Sequence, residues 1–85
     1  MHKNNCRVCG FGLSYPPWGE DDNSPTWEIC ACCGTEFGYE DRTMAGIKAQ
    51  RERWMSGGQI WFDETAKPKE WSFDKQKSQI PTNYK

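Results

Sequence analysis

Cys6-Arg7-Val8-Cys9-Gly10 and Cys30-Ala31-Cys32-Cys33-Gly34 are the two stretches that decide the fold of this 85-residue chain. Two cysteines at this spacing reach one metal ion from a single tight turn, whose amides point at the sulfurs and offset part of their charge. The glycine after each pair supplies the positive φ that such a turn needs. The sequence therefore predicts two zinc knuckles, meaning Cys-x-x-Cys turns, around one ion. The predicted ligands are Cys6, Cys9, Cys30 and Cys33.

The thiols are expected to be reduced. The chain has five cysteines, and an odd number would leave one thiol outside a closed set of disulfides. The polar start, residues 2–5, predicts that no signal peptide precedes them, so we expect a cytoplasmic protein. No apolar run approaches the ~20 residues that cross a bilayer, and no membrane partner is expected. His2 is a poor candidate ligand, because it lies at the terminus and four thiolates already suffice.

A chain of this size needs help to fold. Only 35% of its residues are hydrophobic, whereas ordering the backbone costs roughly 1–2 kcal/mol per residue. Small domains of this kind usually rely on disulfides, a metal or a partner. We therefore expect one zinc ion held in a tetrahedron by four thiolates, with iron as the alternative that thiolates also bind.

Cys32 complicates the second knuckle, because it lies between the two predicted ligands. Cys30 with Cys33 repeats the spacing and the glycine of the first pair, so that pairing is preferred. The simplest interpretation of Cys32 is a small residue that fills the turn. The alternative is a spare, reactive thiol beside bound metal.

The whole chain, residues 1–85, is predicted to be a single zinc-binding domain. Residues 6–40 hold every cysteine and form the metal-binding ribbon, in which residues 26–29 and 35–39 have the composition of short strands. Two short β-hairpins would then each carry one knuckle. Residues 43–80 form a helical, tryptophan-rich tail that packs on the ribbon. The expected fold class is thus a small α+β metal-bound domain.

The tail carries clear helix signals. Thr43 can cap a helix that runs to about Ser56 and ends at Gly57-Gly58, and Ser72 can cap a last helical turn or two through Gln79. The mostly apolar face of the first helix holds Met44, Ile47, Arg51, Trp54 and Met55. The large apolar side chains expected to pack on the ribbon are Trp54, Trp61, Phe62, Trp71, Phe73 and Ile80. Each contributes roughly 1.5–3 kcal/mol when fully buried.

With both knuckles quoted, the chain resembles a group of small bacterial cysteine-rich, zinc-ribbon-like proteins of unknown function. The shared features are a leading Cys-x-x-Cys-Gly-Phe, a Cys-x-Cys-Cys-Gly, a Glu-Phe-Gly-Tyr stretch and a tryptophan-rich tail. They stand here at residues 6–11, 30–34, 36–39, 51–54, 61–62 and 68–71. Ala31 departs from the group, which more often has a Cys-Pro-Cys-Cys sequence there, and the ligands are untouched by that difference. The resemblance implies a fold and a metal site and assigns no reaction.

The paired knuckles and their aromatic surroundings are also similar to those of rubredoxin. That resemblance implies one iron held by four thiolates and the transfer of single electrons. This chain is longer than a rubredoxin, its loop between the cysteine pairs is shorter, and its tail is different. A rubredoxin-like iron electron carrier is the first alternative function.

Charge disfavours nucleic acid as a partner. The formal net charge is −1, from 11 basic and 12 acidic residues, whereas nucleic-acid-binding domains carry a basic patch. The nearest basic cluster, Lys48, Arg51 and Arg53, is interrupted by Glu52. A nucleic-acid-binding zinc ribbon is therefore the second alternative.

The sequence favours a binding protein over an enzyme. It carries no nucleophile motif, its one histidine is His2, and four thiolates leave a metal no open position for water. The loop of residues 15–22 has aromatic side chains beside acids, which suits a basic protein partner. Its candidate contacts are Tyr15, Trp18, Glu20, Asp21 and Asp22. In the alternative, the loop is merely solvated and Trp18 folds onto the core. The expected function is protein–protein interaction, as an adaptor, inhibitor or toxin-neutralising factor.

Overall fold

The longest regular element is a helix, α1, which spans Met44–Ser56 in a computed structural model that describes residues 3–85. Thr43 is its N-cap, and the Thr43 hydroxyl accepts a 3.0 Å hydrogen bond from the amide of Gly46. At the other end, the amide of Gly57 donates to the carbonyl of Arg53. The helix predicted from its two caps is therefore confirmed. His2 lies outside the described residues.

The rest of the tail is made of short helical pieces. The second α-helix, α2, spans Phe73–Gln76 and begins after Ser72, whose side chain makes no capping hydrogen bond, contrary to the prediction. A 3-10 turn, Lys77–Gln79, continues it directly, so the helical turns predicted through Gln79 are present. Two further 3-10 turns span Glu64–Ala66 and Thr82–Tyr84.

The prediction of two β-hairpins is wrong. Residues 3–85 contain no β-strand, and each knuckle is flanked instead by one antiparallel bridge, Asn5 with Gly12 and Ile29 with Glu36. Beyond the second bridge, pairing stops where Trp27 and Gly38 both take positive φ, 65° and 106°. Positive φ turns the chain out of the extended conformation that a ladder needs. The α+β expectation therefore gives way to two helices and turns built around a cysteine cluster.

The core combines the cysteines with aromatic side chains from the tail. Its buried members are Cys6, Val8, Cys9, Cys30, Cys32, Cys33, Phe37, Ile47, Trp54, Trp61, Phe73 and Ile80. Trp61 stands edge-on to Phe11 at 5.2 Å and to Trp71 at 5.5 Å, between ring centroids. Trp54 stands edge-on to Phe73 at 5.2 Å. These edge-to-face pairs are a favourable geometry for aromatic rings and make one continuous aromatic cluster.

Three apolar side chains that were expected to be buried are exposed. Phe62 is 64% exposed, whereas its neighbour Trp61 is buried. Met44 and Met55 lie at the two ends of α1 and are also exposed. The apolar face of α1 is consequently narrower than its sequence suggests, with Ile47 and Trp54 as its buried residues.

Two polar side chains join the tail to the first knuckle. Arg51 of α1 donates to the carbonyls of Val8 at 2.7 Å and Arg7 at 3.0 Å. Gln76 of α2 donates to the carbonyl of Cys9 at 2.9 Å. The radius of gyration is 11.6 Å, close to the ~12 Å expected of a compact domain of this length. The tail therefore lies directly against the cysteine cluster.

Candidate metal centre

Four buried sulfur atoms meet between the two knuckles. The Sγ atoms of Cys6 and Cys33 are 3.7 Å apart, as are those of Cys9 and Cys30, and all four lie within 4.8 Å of one another. A tetrahedral ion with metal–sulfur bonds of about 2.3 Å has sulfur–sulfur edges of about 3.8 Å. The four cysteines are thus placed to hold one metal ion.

The two knuckles have the same backbone hydrogen bonds. In the first, the amide of Gly10 donates to the carbonyl of Cys6, and in the second the amide of Gly34 donates to the carbonyl of Cys30, both at 2.9 Å. The amides of the same two cysteines donate five residues onward, to Phe11 at 3.0 Å and Thr35 at 2.8 Å. The repeated spacing in the sequence therefore becomes a repeated turn that aims two sulfurs inward.

Positive φ closes both turns. Gly10 has φ 82° and Gly34 has φ 77°, in the left-handed region where a side chain is unfavourable. At Gly10 there is a second reason for glycine, since a Cβ would lie 2.6 Å from the carbonyl oxygen of Gln76. This glycine lets the first knuckle approach α2.

The cluster is dry, and burial dominates its electrostatics. Burial raises the pKa of the Cys6 thiol and of the Cys9 thiol, because an anionic sulfur there loses its water. Hydrogen bonds from Cys33, Cys6 and Cys9 lower the pKa of Cys30. Without a cation, negative charge is favoured on the sulfur of Cys30 and disfavoured on those of Cys6 and Cys9. Four thiolates in this place require a positive ion between them.

Polar groups around the cluster contact the sulfurs and the turns that hold them. The amide of Val8 lies 3.4 Å from the Sγ of Cys6 and donates to it. The hydroxyl of Thr35 lies 3.0 Å from the Sγ of Cys33. Hydrogen bonds of this kind orient metal-binding sulfurs and reduce their effective charge.

Sequence reasoning did not identify Thr35 or Gln76 as part of this site. A hydroxyl two residues after Cys33 is a local signal that was available. Gln76 reaches the first knuckle from 67 residues away along the chain, and no local pattern marks it.

Cys32 is fully buried but lies outside the group of four sulfurs. Its Sγ accepts a 3.4 Å hydrogen bond from the side-chain amide of Gln76. Its carbonyl accepts from the amide of Phe62 at 3.1 Å. Cys32 thus occupies the contact between the second knuckle and the tail, and its role as a spare thiol stays a prediction.

The aromatic side chains of the predicted partner-binding loop point inward. Trp18 is 6% exposed, and its indole Nε1 donates to Asp41 at 2.9 Å. The Arg7 guanidinium lies 4.0 Å above the Trp18 ring, and half-buried Tyr15 is edge-on to Phe37. The structure therefore has the alternative arrangement, with Trp18 folded onto the core.

The three acids of that loop are exposed and tie the loop to itself and to its neighbours. Glu20 pairs with Lys3 at 3.0 Å, and Asp22 pairs with Arg7 at 3.1 Å. Asp21 accepts from the amide of Asn23 and the hydroxyl of Ser24. These contacts account for the acids as structural groups, and partner binding by the loop stays a prediction.

No helix within residues 3–85 has the length and apolar character to cross a bilayer. No protein-family model and no solved structure matches the chain. The fold and the site define a small protein with a buried cluster of four cysteines that are placed to hold one metal ion.

Two Bacillus subtilis (strain 168) proteins are similar to this chain. The uncharacterized protein YoaQ is 31% identical over 71 residues, covering 66% of this chain and 60% of YoaQ. The uncharacterized protein YozI is 31% identical over 81 residues, covering 76% of this chain and 64% of YozI. The chain thus spans about three fifths of the length of the relatives it matches. The two proteins are distant homologues of this chain, and their names assign no activity.

Proposed function

We propose that the chain is a non-enzymatic, zinc-stabilised small protein that works by binding another protein in the cytoplasm, as an adaptor, inhibitor or toxin-neutralising factor. The observation that carries the proposal is the cluster of four buried sulfurs with 3.7 Å edges. A site of four thiolates is closed, so bound zinc would stabilise the fold and would activate no water. Binding by the surrounding surface is then the activity left to so small a chain.

The metal half of the proposal is tested by the metal content of untagged protein purified under reducing conditions. We expect one zinc per chain in the wild type and in Cys32→Ser, because Cys32 lies outside the four-sulfur group. Cys9→Ser should lose tight binding, since it removes one ligand. A red, reducible protein that contains iron would favour the electron carrier instead. A wild type without metal would contradict the proposal.

The binding half is tested by capture from the native host, with the zinc-loaded wild type as bait. We expect a protein partner that is absent when the bait carries serine at all four ligand positions. Nucleic acid retained with an affinity that falls steeply with salt would favour the nucleic-acid-binding ribbon. Repeated capture of neither would contradict a binding function.

A further inference from the structure

An aromatic surface lies on the outer side of the second knuckle. Trp27 is 53% exposed, Ile29 is 46% exposed and Tyr39 is 71% exposed. Among the other four tryptophans, Trp18, Trp54 and Trp61 are buried and Trp71 is half-buried. Trp27 is therefore the exception in a chain that otherwise removes its indoles from water.

The backbone pairing places Trp27 and Ile29 on one segment, opposite Gly38 and Glu36 of the other. Ile29 is bridged to Glu36, and the amide of Phe37 donates to the carbonyl of Glu28 at 2.9 Å. In that register Glu28 stands opposite buried Phe37, so alternation turns Ile29 and Glu36 away from Phe37. Trp27 and Ile29 thus lie close together on a surface that the other described residues leave exposed.

Trp27 is held on that surface in an unfavourable conformation. Its φ is 65°, in the left-handed region that is unfavourable for a bulky residue. Gly38 makes room for the ring, because a Cβ there would lie 2.9 Å from Cζ3 of Trp27. Burial of so exposed a ring offsets little of that cost. Strained backbone that the fold maintains is concentrated at functional positions.

Charge indicates what would cover this surface. Residues 7–42 contain seven acidic residues and two arginines, Arg7, which pairs with Asp22, and Arg42, whose Nε donates to the carbonyl of Gly38 at 3.1 Å. Three of the acids, Glu28, Glu36 and Glu40, come from the same two segments as the exposed aromatics. Four thiolates around a divalent ion would add further negative charge. The field around the aromatic surface is therefore negative and attracts cations.

We infer that this surface, named here the Trp27 face and made of Trp27, Ile29, Tyr39, Glu36 and Glu40, docks a basic segment of a partner protein. Lysine or arginine side chains would stack on the exposed rings and pair with the carboxylates around them. The inference rests on the proposed function, since it gives the protein-binding activity a surface and a partner chemistry. A second copy of this chain is the competing occupant, because its residues 42–85 are basic.

Selection from a random 12-residue peptide library, displayed on phage, tests the inference with the zinc-loaded full chain as target. We expect enriched peptides with a net positive charge, whose affinity, measured by fluorescence anisotropy, falls as salt is raised. Enrichment of neutral or acidic peptides would overturn the basic-partner assignment. So would concentration-dependent dimers that Trp27→Asn abolishes, because they would give the face to a second copy.

Matched variants locate the binding. Trp27→Asn removes the ring and keeps a residue that tolerates positive φ, and we expect an affinity at least tenfold lower. Glu36→Gln with Glu40→Gln should lower affinity and flatten its salt dependence. Met55→Gln and Glu64→Gln change exposed residues elsewhere and should leave affinity within twofold. Metal content and thermal melting establish that each variant is folded.

The outcomes separate the inference from the function on which it rests. Basic peptides that bind Trp27→Asn and the double glutamine variant as tightly as wild type would overturn the Trp27 face and leave protein binding standing. A library that enriches nothing, with no partner captured from the host, would overturn both.

Discussion

At the residue scale, the two glycines that close the knuckles show two different reasons why a side chain is unfavourable, positive φ and steric crowding. Gly34 has positive φ but open surroundings, since its nearest neighbour, Phe62, would be 3.6 Å from a Cβ. Gly10 combines positive φ with a carbonyl oxygen 2.6 Å from the same position. Both are required by the turn, and one is also required by the approach of α2.

We expect Gly34→Ala to lower the free energy of unfolding by about 1–2 kcal/mol, the cost of left-handed backbone. Gly10→Ala should cost more, because either the first knuckle or α2 must also move. Gly12→Ala is the control, with ordinary φ and its nearest neighbour 3.8 Å away. Urea unfolding of the zinc-loaded chains measures all three. Equal losses at Gly10 and Gly34 would contradict the close approach to α2.

Asp41 is the other residue whose role can be isolated. It is fully buried, and its carboxylate accepts from the Trp18 indole at 2.9 Å and from the amide of Gly38 at 2.7 Å. Burial raises the pKa of Asp41, and these two hydrogen bonds oppose the rise. Asparagine has one oxygen for two donors, so Asp41→Asn should lower the free energy of unfolding by about 1–3 kcal/mol at neutral pH.

Because the pKa of Asp41 is raised, the difference in free energy of unfolding between wild type and Asp41→Asn should depend on pH. A folded-state pKa above the unfolded value contributes stability that is present at low pH and is lost as the pH rises through the folded pKa. Asparagine does not titrate, so the gap between wild type and Asp41→Asn should widen as the pH falls from neutral towards that pKa. Urea unfolding at pH 7 and pH 5 checks the sign, since loss of metal acts on both chains. A gap that narrows would show that the hydrogen bonds outweigh burial.

At the scale of elements, Arg51 connects α1 to both ends of the chain. Its guanidinium donates to the carbonyls of Arg7, Val8 and Tyr84 at 2.6–3.0 Å. Burial lowers the pKa of Arg51, while the nearby cysteine sulfurs favour its charge. The forked donor set holds the first knuckle and the last 3-10 turn against one face of α1.

We expect Arg51→Lys to lower the free energy of unfolding by about 2 kcal/mol or more, because an ammonium cannot reproduce the planar fork. Arg53→Lys is the matched control on the same helix, where the exposed guanidinium contacts Gln50 alone among the hydrogen bonds of the described residues. That change should cost less than about 0.5 kcal/mol. Thermal melts of the two zinc-loaded variants give the comparison, and equal effects would remove the connecting role of Arg51.

The helix α1 was predictable because its signals are local. Thr43 and Gly57 fix its ends, and the spacing of Ile47 and Trp54 fixes its buried face. The hairpins were wrongly predicted because a strand depends on a partner. Residues 26–29 have suitable composition, yet Trp27 opposite Gly38 leaves the extended conformation, and positive φ at a tryptophan has no signature in composition.

The candidate metal centre was predictable for a similar reason. The knuckles repeat one local pattern, and each turn is closed by its own hydrogen bond, so four sulfurs follow from the spacing alone. The groups that support the site come from far along the chain, as Gln76 does, and are positioned by tertiary packing. Burial of Trp18 also depends on such contacts, with Asp41 and Arg7, which explains why its loop looked like an exposed surface.

At the scale of the whole molecule, the cysteine cluster joins two knuckles that no strand pairing connects. Without strands in residues 3–85, the two knuckles meet through their sulfurs and through Gln76, which donates to the carbonyl of Cys9 and to the Sγ of Cys32. The aromatic cluster of the tail packs on them from one side. Zinc bound by four thiolates in small domains contributes an apparent ~10–16 kcal/mol, against the ~5–15 kcal/mol by which most domains are stable. An ion in this site would therefore supply stabilisation comparable with that of the entire fold.

We expect metal removal to abolish the fold rather than loosen it. Wild-type protein treated with an excess of a strong chelator under reducing conditions should lose its cooperative thermal transition and the near-ultraviolet circular dichroism of its packed tryptophans. Both signals should return when zinc is added back, because the reduced thiols can bind it again. Cys32→Ser should behave as wild type does. With serine at all four ligand positions the chain should be unfolded with or without zinc. A cooperative transition that survives in that chain would mean that the aromatic core is sufficient, and that the four sulfurs are gathered by the fold instead of creating it.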